Sequence, residues 1–404
     1  MRKKILVLTS TYPRWKNDHE PGFVHELARR NLAGFDIVVL APHAKNSQAS
    51  EIMDGVTVRR FRYAPAAFET LVNDGGIVAN LQKHHWKWLL VPFFFAGFIL
   101  ATVKTLLRND IAVIHAHWII PQGLVASIAA WLVRKPLPIL VTCHGADLYA
   151  LSGKLMSWLK YRILQRADFV SIVSRGMMRP LQSLKVPMEK IGVLPMGVDV
   201  LTLFTPDDNV ERSTRKLLFV GRLVEKKGLH VLLDALPLIL ESIPDAELEI
   251  IGFGPEQEAV CKQISRLGLE EKVHFSGAMA QSELPEKYRQ AALCVAPFVQ
   301  SKNGDQDGLG LVTVEAIACG CLVITSDLPA TADVVVNESL RSASGDHRAL
   351  ATSIIQLLSM QPCEREALAA AQRENVISKL SWEHAAKEYD LVLERLADSG
   401  AASA

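Results

Sequence analysis

The stretch Lys216-Leu217-Leu218-Phe219-Val220-Gly221-Arg222-Leu223-Val224-Glu225-Lys226-Lys227-Gly228, with the apolar-periodic run 229–240 behind it, decides how this chain folds. Its first residues are apolar on both faces, as in a buried strand. Gly221 opens a turn, and the run after Gly228 repeats at helical spacing. A strand apolar on both faces that hands over to a helix is the unit of a parallel sheet covered on both sides. The pattern recurs downstream at 248–251, 273–276, 294–297 and 322–325. It also fills the first half, with strand-like runs at 4–9, 37–41, 56–60, 113–117, 139–143, 169–173 and 191–194. Helix-like stretches at 23–32, 123–133, 154–165 and 175–184 alternate with them.

The expected fold is therefore α/β, with two doubly wound parallel-sheet domains in tandem. Pro195, Gly197 and Pro206 break the periodicity at the junction. The expected domains are 1–200 and 201–380, with a C-terminal helix in 381–404 that returns toward the first domain. Doubly wound sheets bind ligands outside the carboxyl ends of their strands, so a central cleft faced by both domains is the expected site.

At 404 residues, 49% hydrophobic and 22% charged, the chain is globular and exceeds one ordinary core. The net charge of +1 conceals two halves of opposite sign. Residues 1–200 hold 25 Lys and Arg against 13 Asp and Glu; residues 201–404 hold 19 against 30. The basic half points to an anionic lipid surface or a phosphorylated acceptor, or else to attraction between the halves. No basic motif with interleaved aromatics speaks for nucleic acid. Six scattered cysteines fit a reducing cytoplasm. The apolar run after Met1-Arg2-Lys3-Lys4 is too short for a signal peptide.

Residues 89–103 are uncharged and nearly all apolar, behind the basic, aromatic flank Lys83-His84-His85-Trp86-Lys87-Trp88. The run is shorter than the roughly 20 residues of a membrane span, and Pro92 interrupts it. It reads as an interfacial element at the inner face of a membrane or as a buried helix of the core.

Two motifs carry chemistry. Arg222 at a strand end and Lys227 at a helix start place two cations beside free N–H groups, which suits a diphosphate. Asp305-Gln306-Asp307-Gly308-Leu309-Gly310-Leu311 turns through two glycines into an apolar helix that carries Glu315. Its glycines admit a ligand to the backbone, and its carboxylates can accept hydrogen bonds from sugar or ribose hydroxyls. Asp305-Gln306-Asp307 also spells a metal-binding pattern, but in a Gly-rich helix start with cations elsewhere for the phosphate. His115 and His117 share one strand face and can pair on a metal only with a third ligand, which is not evident, so they read as strand-end packing or cleft lining. Gly252-Phe253-Gly254-Pro255 lacks the third glycine of a dinucleotide fingerprint.

These runs, with Tyr12-Pro13-Arg14, Pro21-Gly22-Phe23-Val24, His115-Ala116-His117-Trp118, His144-Gly145-Ala146-Asp147 and the stretch 190–199, resemble family 4 of the retaining GT-B glycosyltransferases along nearly the whole chain. The resemblance implies two Rossmann-like domains and transfer of a hexose-type sugar from a nucleotide diphosphate sugar. It implies that Arg222 and Lys227 bind the diphosphate and that Leu309, Gly310 and Leu311 offer amides to phosphate and sugar. Glu315 would hold the ribose, Gly254 would lie beside the base, and Gly22 would admit phosphates and acceptor. His144 and Asp307 would act at the reacting end. The family usually has glutamate where this chain has Asp307, one methylene shorter. No cofactor or metal is implied. The acceptor is expected to be a saccharide or a lipid-linked saccharide of the cell envelope, with the enzyme cytoplasmic and peripherally bound to an anionic membrane. A noncatalytic nucleotide-sugar-binding subunit, or an epimerase or phosphorylase on the same scaffold, is the alternative.

Overall fold

A computed structural model describes residues 2–402 except 17, 19, 21, 74, 75, 151 and 152, so Pro21 of the family-like runs lies outside the described residues. The chain forms two compact units. One comprises Met1–Val173, Met178–Gly197 and Ala385–Ala404; the other comprises Ser174–Met177 and Val198–His384.

The first unit holds strands β1 (Lys4–Leu8), β2 (Asp36–Pro42), β3 (Ser50–Met53), β4 (Val56–Phe61), β5 (Ile111–His117), β6 (Ile139–Cys143), β7 (Phe169–Ile172) and β8 (Ile191–Val193). They form one sheet in the order β3-β4-β2-β1-β5-β6-β7-β8. Every pairing is parallel except that of β3 with β4. The sequence reading lacks β3. Its four residues are largely exposed and carry no apolar run, and a tight turn at Asp54 and Gly55, both at positive φ, folds it back on β4.

Four helices of this unit matter below: α1 (Phe23–Arg30), α2 (Leu90–Arg108), α3 (Leu124–Val133) and α4 (Lys154–Arg166). Helix α2 buries one face of 89–103. Phe94 and Phe98 enter the core against Phe61, with ring centroids 5.3 and 4.4 Å away. Gly97 lies so close to the chain after β4 that a Cβ would sit 2.5 Å from the Arg62 carbonyl oxygen. Truncating a phenylalanine in such a core costs about 3–5 kcal/mol. Pro92 does not interrupt the helix, because it stands in the first turn, where no intrahelical N–H is needed. By length and composition alone, His85–Arg108 suffices to cross a membrane, yet a third of its apolar window is buried in the unit.

The C-terminal helix Trp382–Ala402 closes the other side of the β6–β7 region. The Tyr389 hydroxyl donates to the Leu194 carbonyl at 3.1 Å and sits within 3.5 Å of the Thr142 and Ser171 hydroxyls.

The second unit holds β9 (Lys216–Val220), β10 (Glu247–Ile251), β11 (Val273–Gly277), β12 (Leu293–Ala296), β13 (Leu322–Ser326) and β14 (Arg341–Ser342). They form an all-parallel sheet in the order β11-β10-β9-β12-β13-β14. Helices α5 (Leu229–Ser242) and α6 (Leu311–Ala318) follow β9 and β12. In each sheet the winding reverses beside the first strand, between β1 and β5 and between β9 and β12. Ligands of doubly wound sheets bind outside the carboxyl ends of the strands at such a reversal.

Candidate active site

In the first unit the loops after β1, β5 and β6 converge at this reversal. Gly22 caps α1 at φ −88°, with the nearest atom to a notional Cβ 4.0 Å away, so the backbone there is open. Its neighbour Phe23 packs on His144, centroid to centroid at 5.1 Å, and Trp118 packs on the same imidazole at 4.6 Å. Trp118 itself stands at φ 77°, a left-handed conformation that costs a non-glycine residue on the order of 1–3 kcal/mol.

The buried Asp147 holds this arrangement. One of its oxygens accepts the Ile119 N–H at 3.0 Å, and the other accepts those of His144 and Gly145 at 3.0 and 3.1 Å. One carboxylate thus ties the loop after β5 to the loop after β6.

Three imidazoles line up behind. His117 Nδ1 lies 3.0 Å from His144 Nε2, the His115 and His117 rings are 4.2 Å apart, and His115 Nε2 meets the Thr142 hydroxyl at 2.8 Å. Burial, with the neighbouring His115 adding to it, pushes His144 down to about 3. Burial also takes His115 to about 3 and His117 well below the usual histidine range. All three are neutral at pH 7, so in the His117–His144 contact one ring donates and the other accepts. The two strand histidines therefore pair with hydrogen-bond partners and each other. Among the described residues no group of three His, Cys, Asp or Glu is placed to hold a metal ion.

In the second unit the loops after β9 and β12 meet at the reversal. Arg222 follows Gly221 and is exposed. Lys227 ends a short 3-10 turn, Glu225–Lys227, and Gly228 at φ 69° starts α5. A Cβ at Gly228 would fall 1.8 Å from the Pro297 carbonyl oxygen, so only glycine lets the two loops close on each other. That approach brings Lys227 to Asp307: the two form an ion pair, and the Lys227 ammonium lies 4.8 Å over the Phe298 ring. Lys226 bridges Asp305 at 3.1 Å and Asp307 at 3.6 Å. Burial would raise the Asp307 carboxyl, but the charges of Lys227 and Lys226 outweigh it and hold the group below its usual value.

Gly310, at φ 78°, caps α6, and Leu309 and Leu311 flank it. The first turn of this helix presents N–H groups that lack intrahelical partners by geometry. Glu315 lies one turn further in, buried, accepting from Gln281 Nε2 and the Tyr288 hydroxyl, both at 3.0 Å. Burial lifts its carboxyl to about 7 against the pull of these two donors and of Lys227. Gly254 packs on the loop after β9: a Cβ there would meet the Leu223 carbonyl oxygen at 2.3 Å.

The structure thus joins Lys227 with Asp307 and groups Gly22 with His144, while Glu315 binds Gln281 and Tyr288. The sequence reading misses Asp147 and the Glu315 partners Gln281 and Tyr288 and leaves His117 as packing or cleft lining. Only Asp147 had a signal, three residues after His144 in a turn.

Comparison with known proteins follows this geometry. The profile described as glycosyl transferases group 1 matches residues 205–375, and that of a glycosyl transferase 4-like domain matches residues 22–197. The phosphatidyl-myo-inositol mannosyltransferase of Mycobacterium leprae (strain TN) is 30% identical over 308 residues, covering 74% of this chain and 77% of that one. The GDP-mannose-dependent alpha-(1-6)-phosphatidylinositol monomannoside mannosyltransferase of Mycolicibacterium smegmatis is 30% identical over 233 residues, 55% of this chain and 60% of its own. Among solved structures, sucrose-phosphate synthase from Thermosynechococcus elongatus superposes with a TM-score of 0.78 at 20% identity, covering 98% of this chain and all of that one. Anabaena Alr3699/HepE, solved with UDP and glucose, gives 0.72 at 18% identity with the same coverage. These likenesses establish the shared fold.

Proposed function

Because the chain belongs to the glycosyl transferases group 1 family, we propose that its second unit holds the donor diphosphate on Lys227, Arg222 and the first turn of α6, while its first unit offers His144 to the reacting sugar. The chain is a GT-B glycosyltransferase that uses a nucleotide sugar. The observation that carries the donor assignment is the Lys227–Asp307 pair at the β9–β12 reversal, beside the start of α6.

In the transfer, the bond from the anomeric carbon to the diphosphate oxygen breaks as the acceptor hydroxyl oxygen bonds to that carbon. Negative charge grows on the departing phosphate. Lys227, Arg222 and the α6 amides stabilise it, as preorganised donors do, and supply the positive charge without a metal. Asp307 can release Lys227 to the phosphate because the exchange keeps one anion on the ammonium. The departing phosphate takes the acceptor proton, with the anomeric configuration retained. His144, neutral to about pH 3, is a poor base and a suitable hydrogen-bond partner for sugar hydroxyls. Glu315 takes the ribose hydroxyls on its remaining lone pairs.

The acceptor we propose is lipid-linked or membrane-proximal, reached from the cytoplasmic side by the basic first half. The two mannosyltransferase relatives named for phosphatidylinositol lipids support this, as does the excess of 25 Lys and Arg over 13 acids in residues 1–200.

The test is thermal stabilisation of the purified protein by UDP, GDP and ADP and their sugar conjugates, with GDP-mannose among the first donors tried. A shift with one diphosphate that disappears in Arg222→Ala and Lys227→Ala is expected. Stabilisation by none of them would refute the donor site.

A further inference from the structure

From residue 76 to residue 166 the chain carries ten Lys and Arg and two acids, Asp110 and Asp147; Lys87 and Lys160 are buried, as is Asp147 under three backbone N–H groups, which leaves eight cations against Asp110. The span contains α2, α3 and α4, none of which holds an Asp or Glu. Helix α3 packs against both α2 and α4. The three lead in turn into β5, β6 and β7, which are neighbours in the sheet, so their last turns line up at the end where those strands begin.

One face of each helix is buried on the sheet. The opposite face exposes large apolar side chains. On α2 and the residue before it, Leu89, Phe93, Leu100 and Leu107 recur at intervals of four and seven, a single stripe, each more than 60% exposed. Trp131 on α3 is 73% exposed, and Trp158 on α4 is 57% exposed. Beside Trp131 lies a recess of about 500 Å³, walled by Leu132, Arg134, Lys135, Pro136 and Arg166 among others. A helix C-terminus favours cations by its dipole, which accounts for basic last turns. It does not account for tryptophan and leucine left in water across three adjacent helices.

We propose that this three-helix face seats on an anionic phospholipid bilayer. Its leucines and tryptophans enter the acyl boundary, and the row Arg108, Arg134, Lys135 and Arg166, with the recess beside Trp131, holds headgroup phosphates. Charge selects the occupant: apart from Asp110 and Asp168, the latter paired with Arg166 at 3.3 Å, the surface is apolar and basic and complements a negative interface, whereas a second copy of the same face would set cation against cation. Tryptophan, apolar with one N–H, suits the headgroup level. Helix α2 lies along the membrane and does not cross it, because its other face is held in the core by Phe94 and Phe98. The inference rests on the membrane-proximal acceptor proposed above and adds which surface makes the contact and with which lipid.

The experiment is co-sedimentation of the full-length protein with vesicles of phosphatidylcholine alone or with phosphatidylglycerol added. Binding to the anionic vesicles is expected, with little to phosphatidylcholine. Leu100→Glu with Leu107→Glu should lower it at least about tenfold. Arg134→Gln with Lys135→Gln should lower binding to the anionic vesicles about fivefold per charge. Unchanged far-UV circular dichroism and donor-induced thermal shift show that the variants fold. Binding undiminished in both variants would overturn the assignment of this face. So would a wild-type dimer, without vesicles, that the glutamate pair makes monomeric. Wild-type protein that ignores anionic vesicles would overturn both this face and the membrane-proximal acceptor, while donor stabilisation would still stand or fall on its own.

Discussion

In the first unit, His115 and His117 are buried and His144 half-buried in one row with no carboxylate on their rings, and they are neutral. In the second unit, Lys226 and Lys227 are also largely enclosed, but they meet Asp305 and Asp307 in ion pairs. Histidine titrates close to neutral pH, so burial needs to shift it only slightly to remove its charge. Lysine and aspartate titrate several units away, so pairing them costs less than neutralising either. The difference teaches what each site can offer. A neutral imidazole row presents hydrogen bonds of fixed polarity, which suits sugar hydroxyls. A paired ammonium offers a charge that can change partners, which suits an arriving diphosphate.

The largest expected effect tests the histidine row. A folded-state value below the unfolded one means that stability is full above pH 6.5 and falls as pH drops toward 3, because the unfolded chain takes up protons that the native row refuses. Between pH 7 and 5 each of His115 and His144 should cost up to about 2 kcal/mol. Urea unfolding at pH 7 and pH 5 measures this, and His117→Gln should flatten the slope. No change in midpoint would mean that the row protonates in the folded protein.

The ion pair gives the next effect. Lys227→Ala leaves buried Asp307 with only Lys226, 3.6 Å away, as counter-charge, at a cost of up to about 3 kcal/mol. It should also lower turnover about a thousandfold. Adding Asp307→Asn should recover stability without turnover. If the double variant unfolds as early as the single one, the pairing is not what stabilises these loops.

His144→Ala should reduce kcat about a hundredfold with donor affinity little changed, as loss of a positioning contact does. Steady-state kinetics separates the two parameters, and a matching loss of donor affinity would move His144 into the binding set.

The smallest effect belongs to Glu315. With its carboxyl near 7, its ionised fraction grows from pH 6 to 8, so donor affinity should rise about threefold over that range. Calorimetric titration with the nucleoside diphosphate should find this rise absent in Glu315→Gln.

Much of this was legible before the fold. Strand β6 was readable as residues 139–143 because all five are apolar or small and none needs a cross-strand cue. Lys227 was readable from the strand-turn-helix around it, since the turn chemistry is local. Other features carried no local mark. Strand β3 is too exposed to show a period, and β14 has only two residues. The partners of Glu315, Gln281 and Tyr288, stand 34 and 27 residues upstream. Asp307 was readable as a shortened glutamate, but not as the partner of a lysine 80 residues earlier.

By itself, then, the sequence determined the two doubly wound sheets, the glycine-shaped turns at their strand ends and the kinds of side chain delivered there. Those follow from short-range periodicity and from backbone angles that few residues adopt. Only the tertiary structure decided which ionisable groups lose their charge, which find a partner, and which helix faces stay in water. Those outcomes depend on burial and on distances across the fold, and no spacing along the chain encodes them.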